Sequence, residues 1–196
     1  MRTTLSRYAR VSPSDWQFQE GEYGRPEITP NPAAPGLRFN LSHTKGLVAC
    51  IATREIDCGV DVERVGRVKN LEGVARRVFS EIELDDLLGR SGADREGRFT
   101  DFWVLKEAYI KARGMGFQLP LRDIHFRIPE GRAIELDFSP GFDDNPSEWQ
   151  LHLQNQSYFD EPTTAFRLAV ALRCGEGESR AIMVQDVVPL EEPSSS

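Results

Sequence analysis

The longest periodic stretch of hydrophobic positions lies between Phe99 and Arg113 and predicts a helix. Its apolar side chains recur at the three- and four-residue steps of one helix face, at Phe102, Leu105, Tyr109 and Ala112. No glycine or proline interrupts the run, and Gly114 follows it. We therefore expect a long helix that begins at Asp94 or Arg95 and ends before Gly114.

Alternation of apolar and polar residues predicts antiparallel strands on both sides of this helix. The alternating stretches are 16–19, 37–43, 47–52 and 57–63 before it, and 124–128, 134–138, 149–153, 165–172 and, more weakly, 181–187 after it. A short helix is expected over 3–11. The S-x-x-E sequence from Ser80 to Glu83 predicts a capping box that opens another helix through Leu88. Residues 20–36 are rich in glycine and proline and predict a loop.

The composition is that of a folded globular protein with one domain or two closely packed halves. The 196 residues include 39% hydrophobic and 28% charged side chains, which is enough to bury a core. A net charge of −7 argues against a nucleic-acid-binding surface, which needs clustered cations. The first ten residues lack the apolar core of a signal peptide, and no apolar run could span a membrane, so we expect a cytoplasmic protein. Three dispersed cysteines predict neither disulfides nor a thiolate metal site.

Two carboxylates, Asp61 and Glu63, project from one face of the strand predicted over 57–63. Side chains two residues apart in a strand are separated by about 7 Å, and like charges at that distance repel unless solvent or a cation separates them. The D-x-E pattern alone leaves both explanations open. With Glu107 on the long helix, these residues would supply three hard oxygen ligands, a set that suits Mg²⁺ sharing its shell with substrate phosphates.

The long helix also carries Glu107 and Lys111 four residues apart, with Lys106 beside them. Such residues form either a solvated Glu–Lys pair or part of a reactive face. Elsewhere, Arg25 lies in a constrained turn and His43 at a strand end, where each is either an ordinary surface residue or a contact to an anion. Together these cations would suit an extended polyphosphate substrate.

A local basic patch follows the D-x-E strand in this acidic chain. It consists of Arg64, Arg67, Lys69, Arg76 and Arg77. The patch is either a solvated face or a docking surface for an acidic partner.

Five motifs follow one another along the chain: YGRP, FNLSHT, GVDVE, FSEIE and FWVLKEAYIKARGMGFQLPL. In this order, and above all in GVDVE followed by W-x-x-K-E-A-x-x-K, the sequence resembles the surfactin-synthetase-activating type of 4′-phosphopantetheinyl transferase over almost its whole length. The resemblance implies an α+β fold of two similar halves related by a pseudo-twofold axis. Each half would have a small antiparallel sheet packed on a long helix, and coenzyme A would lie in the cleft between the halves.

The resemblance also implies a reaction and a set of site residues. A carrier-protein serine would attack the β-phosphate of coenzyme A, take up the 4′-phosphopantetheine arm and release 3′,5′-ADP. The magnesium ligands would be Asp61, Glu63 and Glu107, the residues facing the departing nucleotide would be Lys111 and Lys106, and those holding the 3′-phosphate would be Arg25, Ser42 and His43. Glu107 is the expected general base. Glu83 is a weaker candidate whose expected role is the helix cap.

In this family a further strand and helix precede the position that matches Met1, so the N-terminal half is expected to be incomplete. The expected organisation is an N-terminal half at 1–57, a C-terminal transferase domain with the metal site at 58–188, and a disordered tail at 189–196. We expect a monomer that binds coenzyme A and an acyl or peptidyl carrier protein, and neither nucleic acid nor membrane. Two other functions stay open: an inactive remnant that still binds a carrier protein, and a Mg²⁺-dependent hydrolase of nucleotide pyrophosphates.

Overall fold

The computed structural model describes residues 1–21, 23–158 and 161–187 and has an α+β fold. The helices are α1 (Arg2–Leu5), α2 (Leu71–Val78), α3 (Glu81–Leu88) and α4 (Gly92–Arg113). The strands are β1 (Phe18–Glu20), β2 (Pro26–Ile28), β3 (Leu37–Thr44), β4 (Leu47–Arg54), β5 (Asp57–Arg64), β6 (Ile124–Arg127), β7 (Glu135–Phe138), β8 (Trp149–Tyr158) and β9 (Glu161–Arg173). The strand pairs of the described residues are antiparallel, as the alternating sequence predicted.

A three-stranded sheet in the order β5–β9–β8 is the framework of the C-terminal half. One of its faces packs on α4, where Ala169 and Ala171 of β9 share a core with Leu105 and Ala108 of the helix. On the opposite face, the valines of β5 pack with Ala49 of the β3–β4 hairpin. The two halves of the chain therefore meet at β5.

Helix α4 is buried along most of its length because apolar side chains cover more than one of its faces. It begins at Gly92, two or three residues before the predicted start. It ends as predicted, because Gly114 adopts a left-handed conformation with φ of 68°, which residues with a Cβ atom adopt only rarely. The capping box of Ser80 and Glu83 at the start of α3 is also confirmed.

Several local predictions are wrong, and one helix was not predicted. Helix α2 forms within the basic segment, where Asn70 caps it by accepting a hydrogen bond from the backbone N–H of Gly73. The predicted loop over 20–36 contains β2, which pairs with β1 and begins at a proline, a residue that strands tolerate at their first position and at edges. The weak alternation over 181–187 does not form a strand, and the first helix covers only the four residues of α1.

The long helix expected in each half is present, among the described residues, only in the C-terminal half. In the N-terminal half, Leu5 of α1 and Trp16 pack against Leu37 and Phe39 of β3 and form a small core of their own. The predicted tail at 189–196 lies outside the described residues. Within the described ranges, no helix combines the length and the hydrophobicity that crossing a membrane requires.

Candidate active site

Strand β5 turns Gly59, Asp61 and Glu63 toward α4, and it buries the valines between them on its other face. A Cβ atom at Gly59 would lie 1.9 Å from the carbonyl oxygen of Ala108 in the helix. Because glycine has no Cβ atom, the strand and the helix can approach each other backbone to backbone. This approach places the polar residues of α4 against the carboxylates of the strand.

Asp61 and Lys111 form an ion pair between the strand and the helix. The Lys111 Nζ lies 2.6 Å from Asp61 Oδ1, and it also donates to the Ser42 Oγ at 3.0 Å and the Val60 carbonyl at 3.2 Å. The same Asp61 oxygen accepts a hydrogen bond of 2.7 Å from Ser42. Both charged groups are therefore held in fixed positions, while the lysine side chain stays 27% exposed.

Glu107 lies beside this ion pair and has a strongly perturbed pKa. Burial and, to a smaller extent, the neighbouring charge of Asp61 raise the pKa of its carboxyl group from 4.5 to about 7, while the ammonium of Lys111 opposes the shift. Within the described residues, no hydrogen bond contributes to this shift. The site thus contains two neighbouring carboxyl groups and one ammonium group.

Glu63 is held by a different set of groups. Its Oε1 accepts hydrogen bonds from the Thr44 hydroxyl at 2.7 Å and from the Arg64 backbone N–H at 2.8 Å, and its Oε2 lies 3.3 Å from the Arg67 Nε. No group of three or more His, Cys, Asp or Glu side chains in the described part of the chain is arranged closely enough to enclose a metal ion. The three predicted ligands are therefore not gathered into one cluster.

Polar side chains of β3 join the two halves at the free edge of β5. The Asn40 Oδ1 accepts a hydrogen bond of 3.0 Å from the Val60 N–H, and the Ser42 Oγ accepts one of 3.3 Å from the Val62 N–H. Sequence reasoning missed Asn40 and Thr44 as supporting residues. The available signal was the two-residue spacing of N-x-S-x-T in β3, which matches the spacing of the D-x-E carboxylates in β5.

Comparison with known proteins identifies the superfamily. The family model of the 4′-phosphopantetheinyl transferase superfamily matches residues 57–171, a range that contains both the carboxylates of β5 and the polar residues of α4. The chain belongs to this superfamily.

Relatives of established name share this assignment. The 4′-phosphopantetheinyl transferase Sfp of Bacillus subtilis is 32% identical over 137 residues, which are 70% of this chain and 58% of Sfp. The 4′-phosphopantetheinyl transferase HetI of Nostoc sp. is 30% identical over 142 residues, which are 72% of this chain and 60% of HetI. A solved holo-(acyl-carrier-protein) synthase from Bacillus anthracis, in complex with CoA (3′,5′-ADP), is 24% identical with a TM-score of 0.46, covering 59% of this chain and 93% of that chain. The chain spans about three fifths of the length of Sfp and HetI.

Lys106 does not lie at the site to which the transferase resemblance assigned it. Its ammonium pairs with Glu83 at 2.9 Å and donates to the carbonyl oxygens of Leu121 and Ile124 at 2.8 and 2.6 Å. Burial lowers the pKa of Lys106, and the Glu83 carboxylate opposes that shift. Glu83 is itself fully buried, caps α3 and accepts the Phe126 N–H, so the cap role is confirmed. The prediction that Lys106 contacts coenzyme A is corrected, because the ammonium is enclosed by protein.

The three residues that the transferase resemblance assigned to the 3′-phosphate have different surroundings in this structure. Ser42 and His43 are consecutive in β3 and point to opposite faces, so that Ser42 is buried against Asp61 while His43 is exposed. Arg25 donates to the carbonyl oxygens of Ala112 at 2.9 Å and Cys58 at 3.2 Å. Its Nε is buried and has no hydrogen-bond partner among the described residues.

Arg25 also borders a groove of about 540 Å³ in the N-terminal half. Its lining includes Pro26, Pro30, Pro35 and Phe39. Small-molecule sites commonly have volumes of roughly 300 to 1,000 Å³ and apolar walls with a few polar groups. The groove therefore has the size and the chemistry to receive part of an organic ligand.

Proposed function

We propose that this chain transfers the 4′-phosphopantetheine arm of coenzyme A to a serine of an apo acyl or peptidyl carrier protein and releases 3′,5′-ADP. The observation that carries the proposal is the group formed by Asp61, Lys111 and Glu107 at the close contact of β5 with α4. The two carboxyl groups of this site can bind a metal cation, and its ammonium group can bind a phosphate. Membership of the transferase superfamily supports the same reaction.

The donor chemistry of the site fits magnesium. Asp61 and Glu107 are neighbouring carboxyl groups, and in the part of the chain that the structure describes they share the ammonium of Lys111, which leaves the two carboxyl groups with less positive charge than negative charge. We propose that both bind Mg²⁺ and that Glu63, which is not clustered with them in this structure, joins them as the third ligand. Magnesium bound there would supply positive charge against the pyrophosphate of coenzyme A.

Lys111 and Glu107 have separate roles in the proposed reaction. The serine oxygen forms a bond to the β-phosphorus, the bond from that phosphorus to the bridging oxygen breaks, and 3′,5′-ADP leaves. Lys111 is fixed by Asp61 and Ser42 and would stabilise the charge that develops on the leaving nucleotide. Glu107 would accept the serine proton, because its carboxylate lies beside the proposed metal position.

The nucleotide end of coenzyme A is proposed to lie beside Arg25. That residue offers a buried Nε that has no hydrogen-bond partner among the described residues, and the adjoining groove could receive the adenosine. His43 stays in the proposal as an exposed contact to the 3′-phosphate. In this proposal, Ser42 does not contact the phosphate but positions Asp61 and Lys111 through its hydrogen bonds to them.

The carrier protein is proposed to dock on the basic patch around α2. Arg76 and Arg77 lie exposed in the last turn of this helix, where they are accessible to an acidic partner. The cytoplasmic location and the monomeric state remain predictions from the sequence.

Intact-mass spectrometry of an apo carrier protein tests the proposed function. The wild-type chain with coenzyme A and Mg²⁺ should add the mass of one phosphopantetheine arm. Glu107→Gln should add none, because it removes both the metal ligand and the base. Glu135→Gln, an exposed glutamate of β7, is the matched control and should transfer normally.

The same experiment separates the competing functions. A carrier protein that binds the chain without gaining mass would indicate an inactive remnant. Cleavage of coenzyme A in the absence of any carrier protein would indicate a hydrolase. Transfer that survives Glu107→Gln unchanged would contradict the proposed site.

A further inference from the structure

We propose that Thr44 is a positioning residue that sets the orientation of the Glu63 carboxylate for binding a divalent cation. This inference rests on the proposed function, in which Glu63 is a metal ligand. Its starting observation is the hydrogen bond of 2.7 Å from the Thr44 hydroxyl to Glu63 Oε1. Thr44 is a buried polar residue at the end of β3, only 9% exposed.

The hydroxyl belongs to a repeated arrangement between two strands that are not in one sheet. Ser42 donates to Asp61, and two residues later Thr44 donates to Glu63, each across 19 positions of the chain. Because side chains on one face of a strand repeat every second residue, the two hydroxyls of β3 match the two carboxylates of β5 one to one. Each carboxylate thus has its own hydroxyl from the N-terminal half.

Thr44 and Arg67 hold opposite oxygens of the same carboxylate. Thr44 contacts Oε1 from the buried side, whereas the Arg67 Nε lies 3.3 Å from Oε2 and its side chain is 64% exposed. An exposed ion pair constrains a carboxylate weakly, while a buried hydroxyl on a rigid strand constrains it more. Without the hydroxyl, Oε1 would keep the Arg64 backbone N–H at 2.8 Å but lose its side-chain donor, so the Glu63 carboxylate could turn more easily toward Arg67 and solvent.

Hydrogen-bond partners of metal-binding carboxylates orient them and tune their affinity, and their loss commonly costs 10- to 100-fold. We therefore expect Thr44→Val to weaken the affinity for Mn²⁺ about 10-fold, because valine keeps the shape of threonine and removes the hydroxyl. Thr44→Ser keeps the hydroxyl and should bind nearly as the wild type does. Adding Arg67→Ala to Thr44→Val should recover part of the affinity by removing the competing partner.

The experiment measures free Mn²⁺ by electron paramagnetic resonance during titration of the purified full chain without coenzyme A. Thr53→Val is the matched control, since the Thr53 hydroxyl donates to the Ile56 carbonyl at 2.7 Å and touches no carboxylate. Circular dichroism verifies folding, and Thr44→Ala provides a second variant without the hydroxyl. In the transfer assay, Thr44→Val should need about 10-fold more Mg²⁺ and keep kcat within about twofold at saturating Mg²⁺.

The outcomes distinguish this inference from the function on which it rests. Normal Mn²⁺ binding by a folded Thr44→Val protein would overturn the role of Thr44 and leave the transferase proposal intact. Equal loss in Thr44→Ser and Thr44→Val would also overturn it, because packing and not the hydroxyl would then be responsible. A wild-type protein that binds no Mn²⁺ would overturn the proposed metal site and, with it, the role of Thr44.

Discussion

Two lysines of α4 form ion pairs with very different surroundings. Lys106 and Glu83 have side chains that are only 3% and 0% exposed, and backbone groups occupy their remaining hydrogen-bonding positions. Lys111 and Asp61 are 27% and 10% exposed, and Glu107 lies beside them with a raised pKa. The charges of the first pair compensate each other, whereas beside the second pair the Glu107 carboxyl group has no hydrogen bond or ion pair of its own within the described part of the chain.

This difference distinguishes an ion pair that stabilises the fold from one that can bind a ligand. A buried pair with saturated hydrogen bonds has nothing left to offer a ligand, and removing one partner leaves an uncompensated charge in the core. A partly exposed group with more carboxylates than cations lowers the stability of the fold, but it can bind a further cation. Helix α4 thus carries both kinds of lysine five residues apart.

Breaking the complete pair should have the largest effect. Lys106→Met leaves the Glu83 carboxylate buried without its cation, and we expect a loss of about 3 to 5 kcal/mol of unfolding free energy. Adding Glu83→Gln should restore part of the loss, because the uncompensated charge disappears while the amide oxygen still accepts a hydrogen bond. Urea denaturation measures both effects, with Lys45→Met at an exposed turn as the control. Equal stability of Lys106→Met and the control would contradict the structural role.

Breaking the incomplete pair should affect chemistry far more than folding. Lys111→Met removes the cation proposed to face the leaving nucleotide, so we expect kcat/KM for transfer to fall about 100- to 1,000-fold. The melting temperature should change little, since Ser42 still hydrogen-bonds Asp61 and the pair is partly exposed. Initial rates and thermal melts check this. A stability loss as large as that of Lys106→Met would make the two pairs equivalent.

The raised pKa of Glu107 should make the free energy of unfolding depend on pH. The pKa of this carboxyl group is 4.5 in the unfolded chain and about 7 in the folded protein. Between these values the folded protein keeps a proton that the unfolded chain has lost, so the free energy of unfolding falls as the pH rises, and the full penalty is present at higher pH.

We therefore expect Glu107→Gln, in the presence of a chelator, to gain about 1 to 3 kcal/mol of unfolding free energy at about pH 8 and almost nothing at about pH 4. Urea denaturation at both pH values measures the difference, and Glu135→Gln should show none. A gain of the same size at both pH values would mean that the charge of Glu107 is not its cause.

The smallest effect is expected from charges that belong to neither pair. Reversing Arg76 and Arg77 to Glu should raise the carrier-protein KM about 5- to 10-fold through repulsion of an acidic partner, while kcat and the melting temperature stay near wild type. Steady-state kinetics over a range of carrier concentrations measure this. An unchanged KM would place carrier docking elsewhere on the protein.

Sequence periodicity predicted most of the helices and strands, but it could not show which lysine of α4 lies at the candidate site. The helix, its stop at Gly114 and the cap at Glu83 follow from local rules, and each is present. At 3.6 residues per turn, however, Lys106 lies about 140° around the helix from Lys111. Because α4 is buried on several faces, that rotation leads to a different environment, which only the packing of α3 and β6 defines.

The candidate carboxylates were predicted from their spacing, but the residues that hydrogen-bond them were not. The pairing of Thr44 with Glu63 and of Ser42 with Asp61 depends on how one half of the chain docks on the other. No local pattern encodes that docking. Helix α2 was not predicted because its eight residues form only a short apolar stripe, and its charged residues were interpreted as a basic patch instead.

At Gly59, folding and the proposed chemistry depend on the same close contact between strand and helix. Elsewhere in the site, evolution can exchange a reactive side chain and keep the scaffold, as Glu107→Gln should demonstrate. At Gly59, any side chain would collide with the Ala108 carbonyl and the Ala112 nitrogen. The absence of a side chain at this position therefore sets the distance between the strand and the helix. A mutational scan selected only for solubility should find residue 107 open to replacement and residue 59 restricted to glycine.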